Sequence, residues 1–258
     1  MNLKHKSVGI LAGLGCLAAS SVALAQAQAD ANANVGMSLP GAAPAAAAAG
    51  GASDHDQVVG RIAVGYLGRR TAGIGAGTPP DFGPVLELQA PVVGIRYWID
   101  QMIGIDAGLG LLVSSGSFEQ DNPVPPDADG DLLSATVFIL HAGVPLSLAS
   151  ADHFSFQIVP EANVGISSAS DADGDIKHNG FQLDVGARAG AEIHFGFMGI
   201  PQLSLQGSIG AQLVIQSLKT DNDITDVTNT ENHTTVTTTV GNNPWDIFTS
   251  NVAALYYF

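Results

Sequence analysis

Charge is scarce in this sequence, and so are aromatic rings. Of 258 residues, 13% are charged and 6% aromatic, against 46% hydrophobic. A soluble globular domain carries about 25% charged residues. Disorder over most of the chain is excluded, because disordered segments are rich in charge and poor in apolar residues. Basic residues are especially few: nine Lys and Arg face 24 Asp and Glu, a net charge of −15. That balance excludes a nucleic-acid backbone as partner. A single cysteine excludes a disulfide scaffold. Beyond the N-terminus no apolar run approaches the roughly 18 residues of a spanning helix. Glycine, in contrast, is abundant: 31 residues, with 13 prolines. That usage favours strands and turns over long helices. An apolar, glycine-rich chain with little charge and no spanning helix has the composition of a membrane β-barrel.

The N-terminus reads as an address. Lys4, His5 and Lys6 precede an apolar stretch from Val8 to Leu17, and Ala23-Leu24-Ala25 is a small-residue cleavage site. The pattern predicts a secretory signal peptide over 1–25. Acylation at Cys16 is disfavoured, because Gly13 stands where such a site wants Leu. Cleavage after Ala25 removes Lys4, Lys6 and Cys16 and leaves a chain without redox chemistry of its own. Residues 26–56 are rich in Ala, Gly and Pro, with Pro40 and Pro44 interrupting the alanines. They predict a flexible periplasmic tail.

From residue 57 onward the dominant pattern is alternation with period two. It is clearest from Phe181 to Phe195, where Phe181, Leu183, Val185, Ala187, Ala189, Ala191, Ile193 and Phe195 share one face. Gln182, Asp184, Gly186, Arg188, Gly190, Glu192 and His194 share the other. The same alternation runs through Phe154–Ile166, Ile103–Val113 and Leu203–Ile215. Four further strands are less regular: about Gln57 to Gly68, Pro84 to Ile99, Leu132 to Leu146, and Pro244 to Phe258. In the second of these the apolar face changes parity near Pro91, which predicts a bulge there. Tight turns near Asp100-Gln101, Ser150–His153 and Met198–Pro201 alternate with polar stretches at 69–83, 117–131, 168–180 and 217–243. The pattern predicts an all-β fold over 57–258: a closed eight-stranded antiparallel transmembrane β-barrel with short periplasmic turns and four long extracellular loops. A soluble β-sandwich would give the same alternation. Its outer face would carry Lys, Glu and Thr, whereas the polar face here holds Gly, Ser and Gln with a few opposite charges.

Two segments carry a family resemblance. Val252, Ala254, Tyr256 and Phe258 alternate and end on an aromatic residue. They resemble the assembly signal of Gram-negative outer-membrane barrels. The segment from Gly94 through Arg96, Trp98, Asp106 and Gly110 resembles the second hairpin of eight-stranded barrels of the outer membrane protein A and opacity-protein kind. The resemblance implies the outer membrane of a Gram-negative bacterium, with membrane lipid and the barrel assembly machinery as partners. No peptidoglycan-binding domain is expected after Phe258, so the wall anchoring of larger family members is not carried over.

Few residues offer chemistry. Arg61, Arg96 and Arg188 fall on inward faces, as do Asp106, Glu161, Asp184 and Glu192. Glu161 and Arg188 should stand level on neighbouring strands, and Arg96 and Asp106 flank a tight turn. Charges in a low-dielectric interior are tolerated when paired, so both pairs are expected. Such pairs can act as a gate that swaps partners to pass small ions, as the resemblance implies. They can equally be the satisfied charges of a sealed interior. An eight-stranded barrel is just wide enough to be filled by side chains, which favours the sealed interior. Two pentapeptides, Asp127-Ala-Asp129-Gly-Asp131 and Asp171-Ala-Asp173-Gly-Asp175, offer carboxylates to a cation such as calcium. The Gly and Glu positions of an EF-hand are filled by Leu132 and Phe138 in one copy, and by Ile176 and Gln182 in the other. Acidic turns on a solvated rim explain the repeat as well. His153-Phe-Ser155 resembles the H-x-S pair of lipid A deacylase barrels. Both residues point inward at the periplasmic end, away from an acyl chain, so no catalysis is expected. His178 and His233 show no metal spacing. Threonines crowd the stretch from Thr220 to Thr239 and should extend strands seven and eight past the membrane. The expected function is a structural and surface role without catalysis or cofactor. The alternatives are a narrow porin-like channel and an adhesin acting through its loops.

Overall fold

The computed structural model describes residues 52–75, 86–120, 128–171, 174–240, 245, 248 and 251–258. The segment read as signal peptide, and the tail up to residue 51, lie outside them.

Sequence alternation becomes the two faces of one antiparallel sheet. Its strands are β1 (Ile62–Ile74), β2 (Leu86–Trp98), β3 (Gly104–Ser114), β6 (Ser134–Gly143), β7 (Leu146–Ala151), β8 (Phe154–Ser170), β9 (Ile176–Phe195), β10 (Ile200–Asn222), β11 (Val227–Thr238) and β12 (Val252–Tyr257). β4 (Ser117–Gln120) and β5 (Ala128–Asp131) form a separate hairpin. Eight strands close a ring in the order β1, β2, β3, β6, β8, β9, β10, β12 and back to β1. The remaining two extend its walls. β7 follows β6 after a break at Val144-Pro145 and pairs with β8. Proline has no N–H for the ladder. β11 pairs with β10 beyond the stretch that β12 covers.

Tight connections gather at one end of the ring. Asp100 accepts the Met102 and Ile103 backbone N–H groups at 2.7 and 2.8 Å. A 3-10 turn at Gly196–Met198 ends on Gly199 at φ +79, a conformation glycine adopts without strain. At the other end the strands run further than the alternation indicated. β8 reaches Ser170 and β9 starts at Ile176, so most of 168–180 is strand. The Thr-rich stretch is a β10–β11 hairpin, paired from Ala211↔Thr238 to Asn222↔Val227.

The bulge lies on β1, not on β2. Tyr66 pairs with Val93 and Arg69 with Pro91, so Leu67 and Gly68 together stand opposite Val92. Gly68 takes φ +96. β2 keeps one parity throughout, with Ala90, Val92, Arg96 and Trp98 inward. The change seen near Pro91 has another cause: the outward residues turn polar at Gln89 and Glu87, where the outer apolar belt ends.

That bulge redirects the rest of β1. Inward positions shift from Ala63 and Leu67 to Arg70, Ala72 and Ile74. Beyond Tyr66, β1 pairs with β2 alone among the described residues. Its free edge turns into the ring and bonds to inward side chains. Gly73 N–H donates to Gln182 Oε1 at 2.9 Å, Gln182 Nε2 donates to the Thr71 carbonyl at 3.1 Å, and Ser167 Oγ donates to the Gly73 carbonyl at 2.7 Å. Gly180 permits this approach, since a Cβ there would overlap the Gly73 carbonyl oxygen.

Burial is inverted relative to a soluble sheet. Arg96, Asp106, Arg188 and Glu192 are at most 1% exposed, while Leu109, Leu111 and Val113 are 57–67% exposed. Apolar residues inside form two clusters: Leu67, Ala72, Val92, Val137 and Ile139 lie in the larger, and Ile74, Ala135 and Ala169 make the smaller. Among the described residues no helix is long and apolar enough to cross a membrane.

A short helix, α1 (Asp54–Val58), precedes β1. It occupies residues read from sequence as the end of a flexible tail and the start of the first strand. Ser53 caps it: the Asp56 N–H donates to Ser53 Oγ, and Asp56 Oδ2 accepts from the Ser53 backbone N–H. This is a capping box with Asp in the place of Glu.

Candidate functional site

The interior holds two layers of charge. In the layer nearer the tight turns, Arg96 is the hub. β2 and β3 place it opposite Asp106, and Nε and Nη2 each donate to that carboxylate at 2.7 Å. Nη1 donates to Glu192 at 2.9 Å and Gln157 at 3.4 Å, and Nη2 to Gln206 at 2.9 Å. A guanidinium has five N–H donors, and here all five are used. Glu192 in turn accepts from Ser204, Tyr257 and Gln157. Trp98 Nε1 donates to the Tyr257 hydroxyl at 3.1 Å, and the Arg96 guanidinium lies 5.9 Å from the Trp98 ring. The layer leaves no buried donor of Arg96 unpaired.

The second layer centres on Glu161. Arg188 Nε donates to Glu161 Oε2 at 2.7 Å, and Arg70 Nη2 donates to the same oxygen at 3.0 Å. Arg70 also donates to Asn163 and to the Arg69 carbonyl, and Arg188 to Ser208. Asn163 Oδ1 lies 2.7 Å from His141 Nδ1. Asp184 accepts from Gln182 at 2.8 Å. Beside this layer, along the inturned edge of β1, lies a cavity of about 300 Å³.

α1 covers the turn end of the interior. His55 is buried against Trp98, ring centroids 4.5 Å apart, and faces the Gln101 carbonyl at 3.0 Å. Asp54 Oδ2 accepts from Gly196 N–H and lies 2.7 Å from His153 Nδ1, while Asp54 N–H donates to the Asp152 carbonyl. Val58 is buried in the same core cluster as Trp98 and Tyr257.

The two pairs read from the sequence, Arg96 with Asp106 and Arg188 with Glu161, are joined by ion pairs, and Glu192, for which no partner was read, also bonds Arg96. Arg61 does not. It precedes β1, after the turn at Gly60 (φ +76), and its side chain is exposed outside the interior. Arg70 takes the place expected of it. The sequence reading ended the first strand at Gly68 and so missed Arg70; a glycine inside a strand pattern is itself the sign of a bulge. It also missed the capping box at Ser53 and the neutral members Gln157, Ser204, Gln206 and Tyr257. His153 and Ser155 do not meet: His153 faces Asp54, and Ser155 Oγ accepts from Gln157.

Val252, Ala254 and Tyr256 alternate with buried Ala253, Leu255 and Tyr257 on β12, and Phe258 N–H donates to the Ile62 carbonyl. Of the acidic pentapeptides, Asp127 and Asp173 lie outside the described residues. Asp129 and Asp131 fall on β5, described by its backbone. Asp171 accepts the Ile176 N–H at 3.0 Å, and the Asp175 carbonyl accepts the Asp223 N–H at 2.8 Å. Among the described residues no three His, Cys, Asp or Glu side chains are grouped to hold a metal ion. No protein-family model and no curated protein matches the chain.

Proposed function

We propose that this chain is an integral outer-membrane β-barrel with a structural role at the cell surface and a non-conducting interior. The observation that carries the reading is the inverted burial, with a belt of Ile, Leu, Val and Phe facing outward around a charged, hydrogen-bonded interior. Each such side chain gains about 1.5–3 kcal/mol when removed from water, and a bilayer supplies that removal. On β9 the belt runs from Phe181 to Phe195. At about 3.4 Å per residue and a tilt of about 35–45°, that stretch spans about 35 Å, close to the thickness of a bilayer's apolar core. The resemblance to barrels of the outer membrane protein A and opacity-protein kind agrees with a ring of eight.

The Arg96 layer and the helix α1 support a sealed interior. An ion passing along the axis must break the bidentate Arg96–Asp106 pair and displace His55 and Trp98. The exposed β10–β11 hairpin is the part offered to the surroundings. Conductance of the refolded chain in a planar bilayer tests the reading. A silent barrel is expected; steady unitary steps would move the function to a narrow channel.

A further inference from the structure

The cavity beside β1 is polar and lies at a seam between the paired strands of the described residues. β10 is paired with β12 over Leu203–Gly207 and with β11 from Ala211 onward, while the facing edge of β1 turns inward after Tyr66. The recess between them, about 300 Å³, is walled by Thr71, Glu161, Gln182, Asp184, Gln212 and Thr238. We propose that it binds a small organic ammonium ion, with Asp184 as the counter-ion.

Among the described residues, Asp184 is the carboxylate of this layer that makes no direct ion pair. It is 2% exposed, and the neutral amide of Gln182 donates to it at 2.8 Å. The neighbouring guanidiniums bond elsewhere: Arg70 and Arg188 converge on one oxygen of Glu161, Arg70 also bonds Asn163 and the Arg69 carbonyl, and Arg188 also bonds Ser208 and keeps Nη2 buried without a hydrogen bond. No Lys, Arg or His nitrogen of the described residues forms an ion pair with Asp184. A buried carboxylate without a cation is costly, and a bound cation removes that cost.

The rest of the lining selects the kind of cation. A divalent metal wants several carboxylate or imidazole ligands, and no such group is present among the described residues. Gln212, Thr71 and Thr238 offer neutral oxygens instead, which accept N–H bonds from an ammonium group. Along the lining Glu87, Glu161 and Asp184 outnumber the guanidiniums of Arg69 and Arg70, which favours a cation over an anion. The inference goes beyond the envelope role, because the recess is a property of the folded ring in any environment.

The test is an amide NMR titration of the refolded full chain in detergent micelles, with ethylammonium chloride as probe. Saturable shifts are expected at Thr71, Gln182, Asp184 and Thr238, and sodium chloride at the same ionic strength should not reproduce them. Losing one charge-assisted contact weakens binding about tenfold or more, so Asp184→Asn should raise Kd by that factor. Gln212→Leu should raise it less. Shifts that do not saturate, or that sodium chloride matches, overturn the proposal. So does an unchanged Kd in a folded Asp184→Asn sample or, if that variant does not fold, in Gln212→Leu. A well-dispersed spectrum without binding would sink the ammonium site and leave the barrel reading standing, whereas failure to insert in lipid would do the reverse.

Discussion

Arg96 on β2 and Asp106 on β3 are register partners joined by two hydrogen bonds of 2.7 Å, and neither side chain is exposed. The geometry is the fork-to-fork pairing that gives an arginine–carboxylate bond its specificity. Breaking one partner of such a buried pair costs about 3–5 kcal/mol. Arg96→Gln should therefore lower the urea midpoint of the refolded chain strongly. Asp106→Asn should cost less, because Glu192 still neutralises Arg96. The double variant should recover part of the sum, the coupling energy of a mutant cycle. Additive losses would mean that the two residues act independently.

The inturned edge of β1 depends on a missing side chain. Gly180 leaves room for the Gly73 carbonyl, which Ser167 also reaches. Gly180→Val should force the strands apart at an overpacking cost of about 1–3 kcal/mol. Gly207→Val, at a strand glycine with open space around it and no left-handed backbone, should be milder. If hydrogen exchange at Gly73 stayed as slow in Gly180→Val as in the parent, the edge would be held by something else.

α1 should shield the indole of Trp98. Trp98 is fully buried beside His55, whereas Trp245 is exposed. In a Trp245→Phe background, Asp54→Ala removes the carboxylate that holds His153 and the Gly196 N–H. Iodide quenching of the remaining Trp98 fluorescence should rise. Quenching identical to that of the parent would show that the helix does not depend on Asp54.

The outer belt predicts a depth-dependent penalty. Ala189 lies on the outward face of β9 within the belt, and Val236 is 76% exposed on the β10–β11 hairpin beyond it. Ala189→Arg should cost about 2–4 kcal/mol in lipid. Val236→Arg should stay within about 0.5 kcal/mol. Folding yields into vesicles, read from migration of unheated samples in gels, separate the two; equal yields would remove the belt.

The sequence carried the ring of strands because alternation with period two survives over 15 residues from Phe181 to Phe195, and no other element has that period. It carried the Arg96–Asp106 pair because a tight turn at Asp100 fixes the register of β2 against β3. It could not carry Arg70, because one extra residue at Leu67-Gly68 reverses every later side chain of β1. Arg61 was misplaced for a related reason: its parity is inward, but the strand has not yet begun there. The helix α1 was hidden by the low-complexity segment before it, although Ser53 and Asp56 spell a cap. The neutral partners Gln157 and Gln206 were visible as inward positions, but their hydrogen bonds depend on how strands from opposite sides of the ring meet.

Lipid contact of the belt decides whether this ring stands in a bilayer. Ala187 lies near the middle of the β9 belt on its outward face. In the Trp245→Phe background, a tryptophan at position 187 (Ala187→Trp) and one at position 236 (Val236→Trp) can each be read against lipids brominated along the acyl chain. The account predicts strong quenching for Ala187→Trp, over the small background of buried Trp98, and little for Val236→Trp. Equal and weak quenching at both positions in a folded sample would contradict the placement of this ring in a bilayer.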